Sequence, residues 1–327
     1  MSRSAVSLVL SGAGARHGLS QATQDRVRSA AETLGYTPNH AASSLRRRRT
    51  DTITFVTADL GNRYFADVVA AAESTAHARG YAVNIVVART RQDEDAVINR
   101  LCNGAADGLI IHGGADRIPG LLDRLADRGV ACVLLQDPGP GGLVPCVRAD
   151  IEGGGFIATR HLLQLGHRRI AHITDQRMAG QPVNERLQGY RRALAAAAVP
   201  FDPALVAAAD NSPAGGAAAL QALMAGPAPR PTAVFAFNDQ MASGALHALA
   251  SLGLRVPQDV AVVGFDGTDL GAYAIPALTS IDHPRQELGR LAAEAVLDQL
   301  QGRARPPDRV LPVRLVVRHS CGGGPAA

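Results

Sequence analysis

Residues 233–267 read AVFAFNDQMASGALHALASLGLRVPQDVAVVGFDG. The stretch begins with an apolar run at 233–237, continues with a helical pattern at 240–252, and ends with a second apolar run at 260–265. Apolar runs that alternate with helical patterns are typical of a parallel β-sheet covered by helices, because parallel strands need a long crossover connection. This stretch therefore predicts one strand–helix–strand unit of an α/β fold.

The same alternation extends on both sides of this unit. A Pro- and Gly-rich break at 137–145 divides it into two similar halves. We predict two doubly wound parallel-sheet subdomains, with strands at 53–57, 81–88, 108–112, 131–136, 169–174 and 205–209, and helices at 64–79, 94–103, 121–128, 154–165, 185–197 and 214–224.

Composition excludes several classes of protein. The chain has 327 residues and is 46% hydrophobic, which is enough to form a sizeable core. We find no run of about 18 apolar residues and no secretory signal, so we expect no membrane segment and a cytoplasmic location. The four cysteines lie far apart without a Cys-x-x-Cys pair, and the ten histidines show no metal-ligand spacing. We predict no metal and no cofactor.

Positive charge is concentrated at the start of the chain. Residues 1–50 contain eight arginines against Asp25 and Glu32, a net charge of +6, whereas the rest of the chain sums to −2. Fixed cations that neutralise phosphates release condensed counterions. A small basic headpiece on a slightly acidic body therefore predicts a polyanionic partner, with double-stranded DNA as the simplest one.

Several motifs in register resemble the LacI/GalR family of bacterial transcriptional repressors. They are Phe237-Asn238-Asp239-Gln240-Met241-Ala242, Val263-Gly264-Phe265-Asp266, the 276–281 segment, Gly166-His167-Arg168-Arg169, and Glu185-Arg186-Leu187-Gln188-Gly189-Tyr190. The resemblance covers essentially the whole chain. It implies a small all-α DNA-binding headpiece, a truncated helix-turn-helix plus hinge helix, followed by a periplasmic-binding-protein-like body. It also implies a homodimer or tetramer whose operator affinity is changed by a small molecule, possibly a carbohydrate.

The resemblance also implies domain limits. We expect a partial helix-turn-helix headpiece at 1–38, a hinge helix and basic linker at 39–50, and an effector-binding and dimerisation domain at 51–327. The N-subdomain would comprise 51–148 and 282–308, and the C-subdomain 149–281 and 309–321. Residues 2–12 resemble the recognition helix, and the family's first helix is missing ahead of them. We therefore expect either a start codon placed too far downstream or a weakened headpiece.

DNA-contacting residues follow from the same resemblance. Leu45 matches the hinge leucine that two subunits insert between base pairs, and the arginines at 46–49 would lie against phosphates. A solvated linker is the competing interpretation of such a run. The residues implied as DNA-binding are Arg3, Ser4, Ser7, Asn39, Leu45, Arg46 and Arg47.

Polar residues directly after the apolar runs are the candidates for a ligand site, because ligands bind beyond the carboxyl ends of parallel strands. They are Asp59, Asn62, Asp137, Asp175, Asn238, Asp239 and Asp266. Asp239 could instead be a helix N-cap, and Asp266 could belong to a turn. The resemblance implies effector contacts for Arg186, Asn238 and Asp266, and weaker ones for Asp150, Phe65 and His283. A helix cap is the alternative for Asp150, and core packing is the alternative for Phe65.

Three rival functions remain open. A strand at 5–10 followed by the glycines at 12–18 could form a phosphate-binding loop of a dehydrogenase, although no acidic strand end follows it. A solute-binding protein shares the two-subdomain architecture, and an effector sensor could lack competent DNA binding. We find no catalytic motif, so we do not expect an enzyme.

Overall fold

The structure is a computed structural model that describes residues 2–10, 12–36, 49–57, 60–88, 96, 99, 104–112, 120–139, 142–178, 184–226 and 229–324. The hinge helix expected near Leu45 lies outside these residues, as does most of the helix expected at 94–103.

Two α-helices, joined through a short 3-10 helix at Ala15–His17, form the described part of the headpiece. Helix α1 spans Arg3–Leu10 and α2 spans Gln21–Thr33. The side chain of Ser20 accepts a hydrogen bond from the Thr23 amide and so caps α2. Helix α1 packs on α2, and Val9 and Val27 are buried. The strand considered at 5–10 is therefore wrong, because these residues form a helix with an apolar face.

The first half of the body contains five strands and two helices whose bounds are described. In chain order they are β1 (Thr52–Thr57), α3 (Arg63–His77), β2 (Ala82–Val87), β3 (Gly108–His112), α4 (Leu121–Asp127), β4 (Ala131–Leu135) and β5 (Cys146–Ala149).

The second half continues the alternation. Its elements are α5 (Ile151–Gln164), β6 (Ile170–Asp175), α6 (Glu185–Ala196), β7 (Val206–Ala209), α7 (Pro213–Ala225), β8 (Ala233–Ala236), α8 (Asp239–Ser251), β9 (Ala261–Asp266), α9 (Asp269–Ala272), β10 (Thr279–Asp282), α10 (Arg285–Leu300), β11 (Arg309–Leu311) and β12 (Arg314–Val316).

The strands form two six-stranded sheets, which confirms the two-subdomain α/β body. Sheet A has the order β11-β5-β4-β3-β1-β2, and sheet B has the order β12-β10-β9-β8-β6-β7. Pairing is parallel except between β10 and β12. Central strands are buried along their whole length, as at Val133 on β4 and Val263 on β9. Their sequences are continuous apolar runs because helices cover both faces.

The chain crosses between the sheets three times, and the last crossing corrects one expected boundary. After β5 of sheet A the chain passes through α5 to β6 of sheet B. After β10 of sheet B it returns through α10 to β11 of sheet A, and from β11 it continues to β12 of sheet B. Residues 309–311 were expected in the C-subdomain, but β11 pairs in parallel with β5 in sheet A. Asp308 accepts a hydrogen bond from the Cys146 amide at 2.9 Å and secures this added edge strand. A three-residue strand has no periodicity from which its sheet could be predicted.

Across the described part of the chain, no helix combines the length and the apolar character that a membrane span requires.

Candidate ligand cleft between the two sheets

The carboxyl ends of strands from both sheets meet in one cleft. Asn62 follows β1 of sheet A and caps α3, and Asp266 ends β9 of sheet B. The Asn62 Nδ2 donates to Asp266 Oδ2 at 3.2 Å, although the two residues are 204 positions apart. The cleft therefore lies where ligands bind in open parallel sheets.

Arg186 is the central cation of this cleft. It is the second residue of α6, and its Nη2 lies 3.7 Å from Asp266 Oδ1. Its guanidinium carbon lies 4.2 Å from the ring centroids of both Phe237 and Phe265. Burial lowers the pKa of Arg186, and the nearby Asp266 opposes that shift. Two aromatic faces and a carboxylate together stabilise the buried cation.

Asp266 has an unusual backbone and a perturbed carboxyl. Its φ is +101°, in the region that residues with a Cβ rarely adopt. Arg285 donates to its main-chain oxygen and stabilises this conformation. Burial raises the pKa of Asp266 to about 7, against the opposing effect of Arg186. Strained backbone and perturbed acids both concentrate at functional sites.

Aromatic and histidine side chains form one wall of the cleft. The ring centroids of Phe65 and His112 lie 4.6 Å apart, and those of Tyr64 and His283 lie 5.1 Å apart. The Tyr64 hydroxyl accepts a hydrogen bond from Gln136 Nε2 at 2.5 Å. Burial lowers the pKa of His283 well below its usual range, so this imidazole is neutral near pH 7.

Three buried nitrogens of the cleft have no hydrogen-bond partner within the described residues. They are Nε of Arg186 and both ring nitrogens of His283. Most buried polar atoms in proteins are hydrogen-bonded, and those that are not need an explanation. Ligand hydroxyl groups could accept from Arg186 Nε, and could accept from one ring nitrogen of a neutral His283 and donate to the other.

A polar chain extends from the cleft along the edge of sheet B. Asn238 caps α8 and donates from Nδ2 to Asn211 Oδ1 at 2.8 Å. Asn211 in turn donates to Asp175 Oδ2 at 3.1 Å, and the Arg177 guanidinium donates to both oxygens of Asp175. Asn211 was missed from the sequence, although its place just after β7 follows the same rule as the other candidates.

The structure decides between competing interpretations of two helix caps. Asp150 is exposed and accepts from the Gly153 amide at 2.8 Å, so it does cap α5. The alternative that Asp239 is a helix N-cap is wrong, because Asn238 caps α8. The buried Asp239 carboxylate instead accepts from the amide and hydroxyl of Thr268 and from Ser280 Oγ. It joins the loops that follow β8 and β9 to β10.

The residues expected to contact DNA are only partly described. Arg3, Ser4 and Ser7 belong to α1, and the spacing of Ser4 and Ser7 places these two on one face of the helix. Asn39, Leu45, Arg46 and Arg47 lie outside the described residues. Arg49, which belongs to the predicted phosphate-contacting run, donates to the Tyr81 hydroxyl.

Metal and thiol chemistry have no evident site in the part of the chain that the structure covers. No group of three or more His, Cys, Asp or Glu side chains there could hold an ion. Cys132, Cys146 and Cys321 are buried free thiols, and burial raises the pKa of Cys146 to about 12.

Comparison with known proteins agrees with this architecture. Residues 159–321 match the periplasmic binding protein-like domain family. The HTH-type transcriptional regulator CelR of Thermobifida fusca is 36% identical over 328 residues, which cover 97% of this chain and 94% of that protein.

Two solved structures are also similar. The CelR–cellobiose complex has a TM-score of 0.74 at 34% identity, covering 98% of this chain and 96% of that one. A LacI family regulator from Enterococcus faecium with bound ribose has a TM-score of 0.74 at 28% identity, covering 84% of this chain and 100% of that one. The chain belongs to the LacI family of ligand-responsive, DNA-binding transcriptional regulators.

Proposed function

We propose that this chain is a transcriptional repressor whose operator affinity changes when a sugar binds in the cleft between sheets A and B. The observation behind this proposal is the set of buried, unpartnered nitrogens on Arg186 and His283. Each costs about 1–3 kcal/mol if it remains unsatisfied. Sugar hydroxyls both donate and accept, so they can complement a guanidinium, a carboxylate and neutral imidazoles at once.

We assign the effector contacts to Arg186, Asn238, Asp266 and His283, with Phe65 and Asp150 at the periphery. Phe65, which is half-buried and packs edge-on against Tyr64, offers apolar ring surface to the C–H face of a sugar. Asn211 and Asp175 extend the polar edge beyond Asn238. The cellobiose bound to CelR and the ribose bound to the E. faecium regulator support the choice of a carbohydrate.

We place DNA binding in residues 1–50. Arg3, Ser4 and Ser7 would contact the operator from α1, and Asn39, Leu45, Arg46 and Arg47 from the hinge segment. The +6 charge of this region supports the assignment, because phosphate neutralisation dominates DNA affinity. The rest of the chain, from residue 51, binds the effector and dimerises.

We propose that the working form is at least a homodimer. Leu270, Tyr273 and Ile275 are 66%, 85% and 96% exposed and lie within six residues of one another. We propose that a second copy of this chain covers these apolar residues, because an operator with two half-sites requires two headpieces. Two-fold symmetry places the same patch of each copy in the interface.

The proposal is tested with operator DNA selected from a random library by the full chain, with cellobiose and ribose as probes. We expect one sugar to change operator affinity by about 5- to 150-fold. Arg186→Ala should weaken sugar binding at least about tenfold while DNA binding without sugar is retained. The matched control is Arg192→Ala on the same helix, because that side chain is 54% exposed and pairs with Glu152.

Calorimetry measures sugar affinity, and fluorescence anisotropy measures DNA affinity. Sugar binding without any selected operator would favour a sensor or solute-binding protein. An Arg186→Ala variant with unchanged sugar affinity would show that the cleft assignment is wrong.

A further inference from the structure

Asp107 receives three hydrogen bonds from the two residues that precede β1. Its Oδ1 accepts from the Thr50 amide at 2.7 Å and from the Thr50 hydroxyl at 2.8 Å. Its Oδ2 accepts from the Asp51 amide at 2.9 Å. Asp107 directly precedes β3, so one carboxylate attaches the incoming chain to the amino end of a central strand of sheet A.

The main chain around this carboxylate is fixed from both sides. The Ala82 amide donates to the main-chain oxygen of Asp51 at 2.9 Å, and the Asp107 amide donates to the main-chain oxygen of Thr52 at 2.8 Å. Asp51 has a φ of +51°, a conformation that needs support in a residue other than glycine. Arg49 donates to the Tyr81 hydroxyl. Residues 49–52 are thus attached to the starts of β2 and β3.

Strand β3 connects this attachment to the ligand cleft. Its five residues span about 16 Å, at roughly 3.3 Å per residue. Asp107 lies at the amino end, and His112, which packs on Phe65 in the cleft wall, lies at the carboxyl end. The strand pairs with β1 on one side and β4 on the other, so it moves as part of a rigid sheet.

We propose that Asp107 is a positioning residue for operator binding: it holds the end of the DNA-contacting segment on sheet A and transmits the orientation of the sheet to that segment. This inference rests on the proposed DNA contacts of residues 39–47, which end just before the attached residues. Without the carboxylate, the residues that follow this segment lose three of their hydrogen bonds to sheet A. Sequence-specific binding, which needs both headpieces in register, then weakens. Non-specific binding, which needs only positive charge, does not.

The test uses the full chain with Asp107→Asn, Thr50→Val and Thr50→Ser. Asparagine would place an NH₂ group opposite backbone donors, so we expect operator affinity to fall about tenfold or more. Thr50→Val keeps the shape of the side chain but removes one hydroxyl bond, and about a threefold loss is expected. Thr50→Ser restores the hydroxyl and should bind within about twofold of the wild type.

Operator DNA selected by the wild type and a random-sequence duplex are compared for each variant, and cellobiose affinity and the melting temperature are measured alongside. Support requires a lower ratio of specific to non-specific affinity with cellobiose affinity unchanged. A purely structural role would reduce the melting temperature and all binding in proportion, and that result would overturn the proposal. Unchanged operator binding by Asp107→Asn, with a wild type that binds normally, would overturn it while leaving the proposed function intact. Failure of the wild type to select any operator would overturn both.

Discussion

Asp266 is a buried acid beside a buried arginine, and the balance between burial and attraction decides its protonation. Burial raises the pKa of its carboxyl, while Arg186 and the amide of Asn62 favour the ionised form. The result, about 7, places the titration of this group near neutral pH. The protonation state of Asp266 therefore affects both the cleft and the stability of the fold.

We expect the free energy of unfolding to fall as pH rises from about 4 to about 7. In that range the native state retains the Asp266 proton while the unfolded chain has released it, so higher pH favours unfolding. The change should total about 2–4 kcal/mol. Asp266→Asn should remove it, as measured by urea unfolding at several pH values.

The control for this measurement is Asp259→Asn. That carboxylate pairs with Arg255 at the surface, and the hydrogen bond from Arg255 lowers its pKa to about 2, below the pH window. The Asp259→Asn variant should therefore show the same slope of unfolding free energy against pH as the wild type between about pH 4 and 7. Equal slopes for the wild type and Asp266→Asn would contradict the assignment.

At the scale of elements, α7 and α8 lie so close that their backbones touch. A Cβ on Gly216 would lie 2.1 Å from the Met241 oxygen, and one on Gly244 would lie 1.8 Å from the Pro213 oxygen. Close packing here holds the start of α8, where Asn238 caps the helix and faces Asn211. Small residues in these helices thus determine the position of a cleft residue.

Gly244→Ala should destabilise the protein by about 1–3 kcal/mol, since the methyl group must push the two helices apart. This loss outweighs the gain of about 1 kcal/mol that alanine brings within a helix. Gly226→Ala is the matched control, because its nearest neighbour would be the Leu223 oxygen at 3.4 Å. Urea unfolding measures the free energy of unfolding of both variants. If Gly244→Ala is as stable as Gly226→Ala, the α7–α8 contact is not tight.

The basic linker can be tested as an element too. Arg46→Ser with Arg47→Ser should weaken binding to all DNA, because a protein that neutralises fewer phosphates releases fewer counterions. The slope of log affinity against log salt should shrink by about 0.9 for each phosphate that is no longer neutralised. Arg128→Ser, an exposed arginine after α4, should leave the slope as it is. If the double variant has the wild-type slope, the run is a solvated linker.

At the scale of the molecule, the two sheets share one hydrophobic cluster, which includes Phe55 of sheet A and Phe265 of sheet B. Three chain crossings join them, and Arg148 of β5 pairs with Glu185 of α6 at 2.8 Å. The Asn62–Asp266 bond closes the cleft between them. A ligand that binds Asn62 on one edge and Asp266 on the other competes with the bond between them, and can therefore change the relative orientation of the two sheets.

Replacing Tyr273 and Ile275 by aspartate should dissociate the proposed dimer, because charge would replace exposed apolar surface at its interface. Sedimentation should then show a monomer, and operator affinity should fall about tenfold or more, while sugar affinity persists. Leu165→Asp, a partly exposed leucine elsewhere, is the control. A double variant that remains dimeric would place the interface on another surface.

Local patterns in the sequence sufficed for most of the strands and helices of the body. Strand β3 at 108–112 was predicted to the residue, and β1 and β8 to within one, since burial on both sides makes such strands continuous apolar runs. The family motifs also singled out Arg186 and Asp266, which pair in the cleft, and Asn238, which follows β8 in the same sheet as Asp266. Strand bounds and sequence motifs both depend on residues that are close together in the chain, so they can be recognised from the sequence alone.

Contacts between distant residues depended on the folded chain. The bond from Asn62 to Asp266, the rings that enclose Arg186, the attachment of Thr50 to Asp107 and the place of β11 in sheet A have no local pattern. The role of Asp239 was missed for the same reason, since its partners Thr268 and Ser280 lie 29 and 41 residues away. The hydrophobic periodicity of the sequence indicates which face of a helix or strand is buried. Which polar groups meet across the cleft is decided by the way the two sheets pack together in the folded chain.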